Sequence, residues 1–276
     1  MGFSIWSFII ACFVNGFIAY IAVIHGSVTY GGALAGMVIG AVLMSAGGFW
    51  PWMMLLYFFA TSSILSSYRR DMKRDLEKMH QKSHVRDYEQ VLANGSAAAA
   101  AALLYGFTGS LLFLVAAAAA LSSATADTWA GEVGVTGKAV PRSIITGKPV
   151  QRGRSGGVTL RGTLAGLAGS VSVSCMLAVN LLVLHRGVSR TSFYLVLIVA
   201  LSGFISSLID SVLGATVQVH YLDESTGRIS EHPRLDGREL KQVSGFRWIT
   251  NDMVNFLSIL AGALLAAAAS LPVIPQ

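Results

Sequence analysis

The sequence predicts an all-α polytopic membrane protein, folded as one transmembrane domain over residues 1–276. Three observations carry this prediction. Of 276 residues, 54% are hydrophobic and only 12% are charged. The charges gather into a few blocks. Between the blocks run continuous apolar segments of about 20 residues, the length that crosses a hydrocarbon core of roughly 30 Å.

Seven such segments lie near residues 3–24, 31–49, 50–67, 107–126, 161–184, 192–217 and 251–272, each long enough for a full transmembrane helix. No Lys or Arg precedes the first, so it lacks the charged start of a cleavable signal peptide and reads as a retained helix. Trp6 stands where a myristoylation signal after Gly2 requires Ser or Thr. Cys12 and Cys175 both fall inside apolar segments and read as packing residues, without a disulfide framework or metal cluster.

An eighth apolar segment, residues 96–105, is about half the length of a span. Charge decides how it is read. Residues 69–86 hold seven Lys and Arg, residues 138–161 hold six, and residues 228–247 hold five. The positive-inside tendency places all three loops, about 68–94, 127–160 and 218–249, in the cytoplasm. Two cytoplasmic loops need an even number of crossings between them. Residues 96–105 are therefore predicted as a short, tilted or re-entrant helix broken from its partner at Gly106, with both chain termini outside. One long helix with the second loop outside is the alternative.

Three helix faces carry small residues at helical spacing: Gly32, Gly36 and Gly40; Gly162 and Gly166; and Gly203, Ser206, Ser207 and Gly214. Such strips let backbones approach closely where lipid removes the hydrophobic drive between helices. Asp210 lies on the last strip. A carboxylate in lipid costs about 2.5–3.5 kcal/mol, so it should face the bundle interior with a partner. Asn251 and Asp252 suit the start of the final helix as capping groups. Asn255 sits one turn further in, and the three together also resemble an oxygen ligand set for a hard cation.

The stretch Ala124–Gly134, ATADTWAGEVG, places Asp127 and Glu132 directly after a polyalanine run. If the helix closes at Asp127, the carboxylate meets the negative end of the helix dipole and needs a cation. On one unbroken helix Asp127 and Glu132 would point roughly 140° apart, but Gly131 and Gly134 predict that the helix ends between them. A simple water boundary at Asp127 is the plainer reading. The loop that follows is rich in Gly and cations and nearly free of acids: Lys138, Arg142, Lys148, Arg152 and Arg154, with Gly153, Gly156 and Gly157, then a helix start at about Thr159. These suit a phosphate, or else anionic headgroups. Gly147-Lys148 continues with Pro149, so no Walker A motif is present. Carboxylates for a divalent ion beside cations for phosphate point to a nucleotide or diphosphate site.

These residues carry a resemblance. Asp127 to Gly134, Lys148, Gly156-Gly157-Val158-Thr159 with Gly162, Gly214 to Gln218, and Asn251-Asp252-Met253-Val254-Asn255 resemble, in order, the integral-membrane family that includes plant phytyl-phosphate kinase and animal transmembrane protein nineteen. Asn94-Gly95 belongs to the same pattern. The resemblance implies phosphorylation of an isoprenoid monophosphate to its diphosphate by a nucleoside triphosphate. A weaker similarity to the CTP-dependent dolichol and phytol kinases favours CTP, although their Lys-Ser/Thr-x-Glu-Gly run is absent here.

The roles then expected are as follows. Asp127, Glu132, Asp210, Asp252 and Asn255, with Asn251, contact Mg²⁺ or its waters. Lys148, Arg152, Arg154, the Gly156 and Gly157 amides and Thr159 hold phosphates. An alcohol acceptor would need a general base, Asp127 or Asp210. The expected partners are the isoprenoid lipid phosphate, the nucleotide, membrane lipids and a second copy of the chain, with no nucleic acid, in the bacterial cytoplasmic membrane. Residues 69–86 read as an amphipathic surface helix in which His80 and His84 are solvated, and Ser225-Thr226-Gly227 as a hairpin turn. Arg69 and Arg70 could reach phosphate. A transporter or flippase of a phosphorylated lipid, with an intramembrane Asp and broken helices, is the rival class.

Overall fold

The computed structural model describes residues 4–68, 85–185, 189–235 and 237–274. The surface helix expected around His80 and His84, and Arg69 and Arg70, lie outside the described residues. Among those described, eight helices are long and apolar enough to cross a membrane. They are α1 (Ile5–Ile24), α2 (Tyr30–Val42, continued by a π-helical turn Leu43–Gly47), α3 (Phe49–Ser67), α4 (Tyr88–Thr108), α5 (Leu111–Gly134), α6 (Leu160–His185), α7 (Arg190–Thr216) and α8 (Asn251–Ser270).

Helix α5 forms the centre, packed by α3, α4, α6, α7 and α8. Every side chain from Leu114 to Ala126 is buried. A helix surrounded on all sides has no polar face to present, and close neighbours leave room only for small side chains, which is why Ala116–Ala120 suit it. Ser122 binds the hydroxyl of Ser170 on α6 at 2.9 Å, and Ser170 in turn donates to the Ala200 carbonyl of α7. Helix α1 is the opposite case: only Ala11, Asn15 and Ala22 are buried, and Trp6, Phe13 and Phe17 face outward, as lipid contact requires.

The small-residue strips are where helices meet most closely. A side chain on Gly162 or Gly166 would press on the Ala130 or Ala126 carbonyl of α5, within 2.7 and 3.0 Å. One on Gly203 would strike Ser122.

One expectation is corrected. Residues 96–105 are not a short or re-entrant segment but part of α4, which starts at Tyr88 and ends past Gly106, at Gly109 in the left-handed conformation (φ 66°). Asp87 caps the helix by accepting from the Gln90 amide at 3.0 Å. Hydropathy undercounts α4 because Gln90 and Asn94 interrupt the apolar run; Gln90 is buried in protein and Asn94 is half-buried, so neither is an ordinary lipid-facing group. Eight helices of spanning length, two of them between the first and second basic loops, fit the even number of crossings that charge requires. Val28, between α1 and α2, pairs in parallel with Arg86, just before α4. The α1–α2 link and the first basic loop therefore share one end of the bundle, as eight passes demand.

The other two basic loops carry short strands. β1 (Arg142–Ser143) pairs antiparallel with β2 (Gly157–Val158). β3 (His220–Asp223) lies between β4 (Arg228–Ser230) and β7 (Lys241–Ser244), while β5 (Arg234–Leu235) pairs with β6 (Arg238–Glu239). The β3–β4 connection is the hairpin expected at Ser225-Thr226-Gly227: Asp223 accepts from both hydroxyls, and Gly227 takes φ 67°.

In a background without Cys12 and Cys175, an impermeant maleimide should label Thr108→Cys from outside intact cells and Thr146→Cys only after permeabilisation. Gly203→Val should destabilise the folded protein by about 1–3 kcal/mol through overpacking against α5, read as a lowered midpoint in a denaturant titration in detergent.

Candidate active site

At the end of the bundle that carries the basic loops, the helix ends and the loops 135–159 and 217–250 enclose a cavity of about 330 Å³. That volume is in the range of small-molecule sites, about 300–1,000 Å³.

Its floor is the last part of α5. The helix runs unbroken to Gly134, so the expected break between Asp127 and Glu132 does not exist, and neither does the unfavourable dipole end at Asp127. Gly131 stays helical and exposed, and Gly134 lies against Thr159 and Gly162 of the next helix start. The two carboxylates nevertheless line one cavity, because it wraps around α5. Asp127 is one turn beyond Ser123, whose hydroxyl lies where a side chain on Gly262 of α8 would fall, and so belongs to the α8 side. Glu132 is on the α3 side, where Ser66 donates to it at 2.5 Å. Trp129, between them, donates to Thr61 of α3 at 3.2 Å and anchors the helix.

The α7–α8 wall brings Asp210, Asn251 and Asn255 to the cavity. Asp210 has the interior partner its cost demanded: Ser258 of α8 donates to it at 2.9 Å. Asn255 is buried, and the buried Nδ2 of Asn251 has no hydrogen-bond partner among the described residues. An unsatisfied buried amide is the kind of group a phosphate oxygen completes, or, with the amide turned over, a cation. Asp252 does not line the cavity; it sits in the first turn of α8, where Thr250 caps the helix, and its charge suits the helix N-terminus.

Arg152 and Arg154 line the wall formed by the second loop. Lys148 does not. It lies on the exposed turn between β1 and the Arg152 segment, beside Gly147 at φ 67°. Gly153, Gly156 and Gly157 line the cavity as well, and two of them also shape the loop. Gly156 turns through φ 77° against Ala215 and the Ser211 carbonyl of α7, where no side chain fits, and the Gly157 N–H already donates to the Arg154 carbonyl at 2.9 Å. The Thr159 hydroxyl accepts from the Gly162 N–H at 3.1 Å and so caps α6 at the cavity edge.

The sequence singles out neither Arg86, Gln90 nor Glu231 as a site residue, and marks Asn94 only through the resemblance. Arg86, Gln90 and Asn94 line the cavity at the head of α4, where Arg86 bonds to Ser63 of α3, whereas the Arg152–Gly156 segment packs on Ala215 of α7; the spacing of four between these three residues is the signal the sequence offers. Burial lowers the pKa of Arg86 from its ordinary value, with the Glu132 charge opposing. Glu231 is buried and accepts from Ser155 at 2.5 Å and from Gln218 at 2.8 Å, which ties the third loop to the Arg152–Arg154 segment. No local pattern marks Glu231.

The sequence matches the family described as integral membrane protein DUF92 over residues 13–263. The chain belongs to this family. Protein PGR of Arabidopsis thaliana is 32% identical to it, over 95% of this chain and 96% of that protein. An uncharacterized membrane protein of Synechocystis is 27% identical over 83% of this chain and 77% of its own. One of Methanocaldococcus jannaschii is 33% identical over 50% and 57%. No solved structure matches. The family match spans the cavity-lining residues on α5, the Arg152 loop, α7 and the start of α8, and so covers the whole candidate site of this DUF92 protein.

A titratable group lies where the two loops meet. His220 is buried, its Nδ1 3.1 Å from the Ser244 hydroxyl and its Nε2 without a partner among the described residues. Burial pushes its pKa below the ordinary value; Glu231 opposes the shift and Arg154 adds to it. The folded pKa is thus below that of the unfolded chain, about 6.5. The stability of this loop is then present above that pH and is lost as pH falls through it toward the folded pKa. Hydrogen exchange of residues 218–244, corrected for intrinsic rates, should accelerate from about pH 7.5 to about pH 5.5, and His220→Asn should flatten that dependence.

Proposed function

We propose that this protein is a membrane-embedded kinase that phosphorylates an isoprenoid lipid monophosphate, of phytyl or polyprenyl type, to its diphosphate. The donor is a nucleoside triphosphate, with CTP favoured by the resemblance to dolichol and phytol kinases. The observation that carries the reading is that Asp127 and Asp210 share one cavity with Arg152 and Arg154, where transmembrane helices meet basic loops. Carboxylates for a divalent ion and cations for phosphates are the two requirements of phosphoryl transfer. The membrane is the bacterial cytoplasmic membrane, with the cavity opening to the cytoplasm.

The reaction balances without a base. An oxygen of the acceptor phosphate attacks the γ-phosphorus, the bond to the β–γ bridging oxygen breaks, and the nucleoside diphosphate leaves. The second pKa of a phosphate monoester is about 6, so the attacking oxygen carries no proton that must be removed. Arg152 and Arg154 would hold the donor phosphates, with the Asn251 amide completing a hydrogen bond to one of them.

Among the described residues, no three His, Cys, Asp or Glu converge as a ready metal ligand set. Mg²⁺ does not require one, because it keeps waters and substrate phosphates in its shell and takes one or two carboxylates. Asp127 and Asp210 fit that need, and Asn255 and Glu132 line the same cavity. When bound, the ion neutralises charge on the donor phosphates. Lys148 and Asp252 have no place in this account.

Purified protein in nanodiscs, with Mg²⁺, CTP or ATP, and farnesyl or geranylgeranyl monophosphate, should yield the lipid diphosphate. Asp127→Asn and Asp210→Asn should each lower kcat by about 100-fold or more, the scale of losing one preorganised electrostatic contact. Absence of turnover with every donor and acceptor by folded protein contradicts the reading, and turnover of the free alcohol alone would make it an alcohol kinase.

A further inference from the structure

Arg86 is held more firmly than a residue of a surface loop needs to be. Its backbone N–H donates to the Ser27 carbonyl at 3.1 Å, and its carbonyl accepts from Thr29 at 2.9 Å. Gly32 of α2 lies so close to that carbonyl that no side chain would fit. The side chain turns inward. Its Nη1 donates to Ser63 of α3 at 2.9 Å, and the guanidinium lies 5.5 Å from the centre of the Phe59 ring.

A guanidinium carries five N–H donors. Among the described residues Ser63 engages one of them, and the group borders the cavity. Removing a cation from water is costly unless charge and hydrogen bonds replace the lost solvent. Glu132, held by Ser66 one turn along α3 from Ser63, supplies some of that charge. The remaining donors suit an anion with several acceptor oxygens. A planar fork matched to phosphate is the feature that separates Arg from Lys.

We infer that Arg86 holds the phosphate of the lipid acceptor on the α3–α4 side of the cavity, while the loop arginines hold the donor. This rests on the kinase reading above. The two cationic walls differ in what surrounds them. Arg154 is on an exposed loop that a nucleotide reaches from water. Arg86 is backed by Ser63 and Phe59 of α3, and Phe58 of α3 and Gln90 of α4 also line the cavity. A lipid whose chain stays in hydrocarbon brings its headgroup to a wall made of transmembrane helices first.

The test compares Arg86→Gln, Arg86→Lys and Ser63→Ala with wild type in nanodiscs, reading KM for geranylgeranyl monophosphate and for nucleotide separately. It also reads direct binding of each ligand alone. Arg86→Gln should raise the acceptor KM about 10- to 100-fold, the scale of one charged hydrogen bond or two, and leave nucleotide KM within about twofold. Arg86→Lys, which keeps the charge without the fork, should fall between. Ser63→Ala should raise the acceptor KM by a smaller factor. A rise in nucleotide KM with acceptor KM unchanged overturns the assignment. So does loss of both, or of neither. If wild type binds the lipid monophosphate through Arg86 but transfers nothing from any nucleotide, the kinase reading fails while the acceptor site stands.

Discussion

The structure depends on the burial of α5 on every side. A helix enclosed by other helices in lipid gains little from apolar surface, since the surrounding chains are as apolar as the bilayer. What holds it is close contact and interhelical hydrogen bonding, and both need small residues. Ala116–Ala120 are all buried, and beyond them Ser122 and Ser123 on α5 meet Ser170 on α6, Gly203 on α7 and Gly262 on α8. The same closeness carries on past Ala126, where Gly162 and Gly166 of α6 touch the α5 backbone. A rigid, enclosed helix thus reaches the polar end of the bundle with Asp127 and Glu132 on opposite sides.

Charge placement at that end follows from the packing. Asp210 is tolerated because Ser258 reaches it from α8, and Glu132 because Ser66 reaches it from α3. The second and third loops are joined by Ser155, Gln218 and Glu231, so the segment bearing Arg152 and Arg154 is fixed by a buried polar network. Such networks rigidify when satisfied. The acids come mainly from helices and two of the cations from a loop so restrained, an arrangement that suits chemistry consisting mostly of positioning.

Much of this was legible in the sequence because it is local. The apolar runs gave the spans, the strips of Gly and Ser gave the close faces, and an Asp inside a span required an interior partner. The hairpin at Ser225-Thr226-Gly227 came from turn chemistry alone. What was misread depended on distant contacts. Gly131 and Gly134 look like helix terminators, yet Gly134 is in the helix because α6 needs a flat neighbour there. Gln90 and Asn94 make α4 look too short, since hydropathy cannot tell that they turn away from lipid. Arg86 stands in a run of basic residues and is distinguished from them only by pairing with the α1–α2 link, about 60 residues earlier in the chain. Lys148 has the right neighbours in sequence and lies on the wrong side of a turn.

On the proposed kinase reading, one cavity brings a water-borne triphosphate and a lipid phosphate together at the end of α5. The most direct measurement is an experimental structure of the protein in nanodiscs with Mg²⁺, a non-hydrolysable CTP analogue and geranylgeranyl monophosphate. Triphosphate density is expected between Arg152, Arg154, Asp127 and Asp210, with the lipid phosphate at Arg86 on the α3–α4 side. Lipid phosphate bound in a path open to the other leaflet, with no nucleotide in the cavity, would contradict that reading.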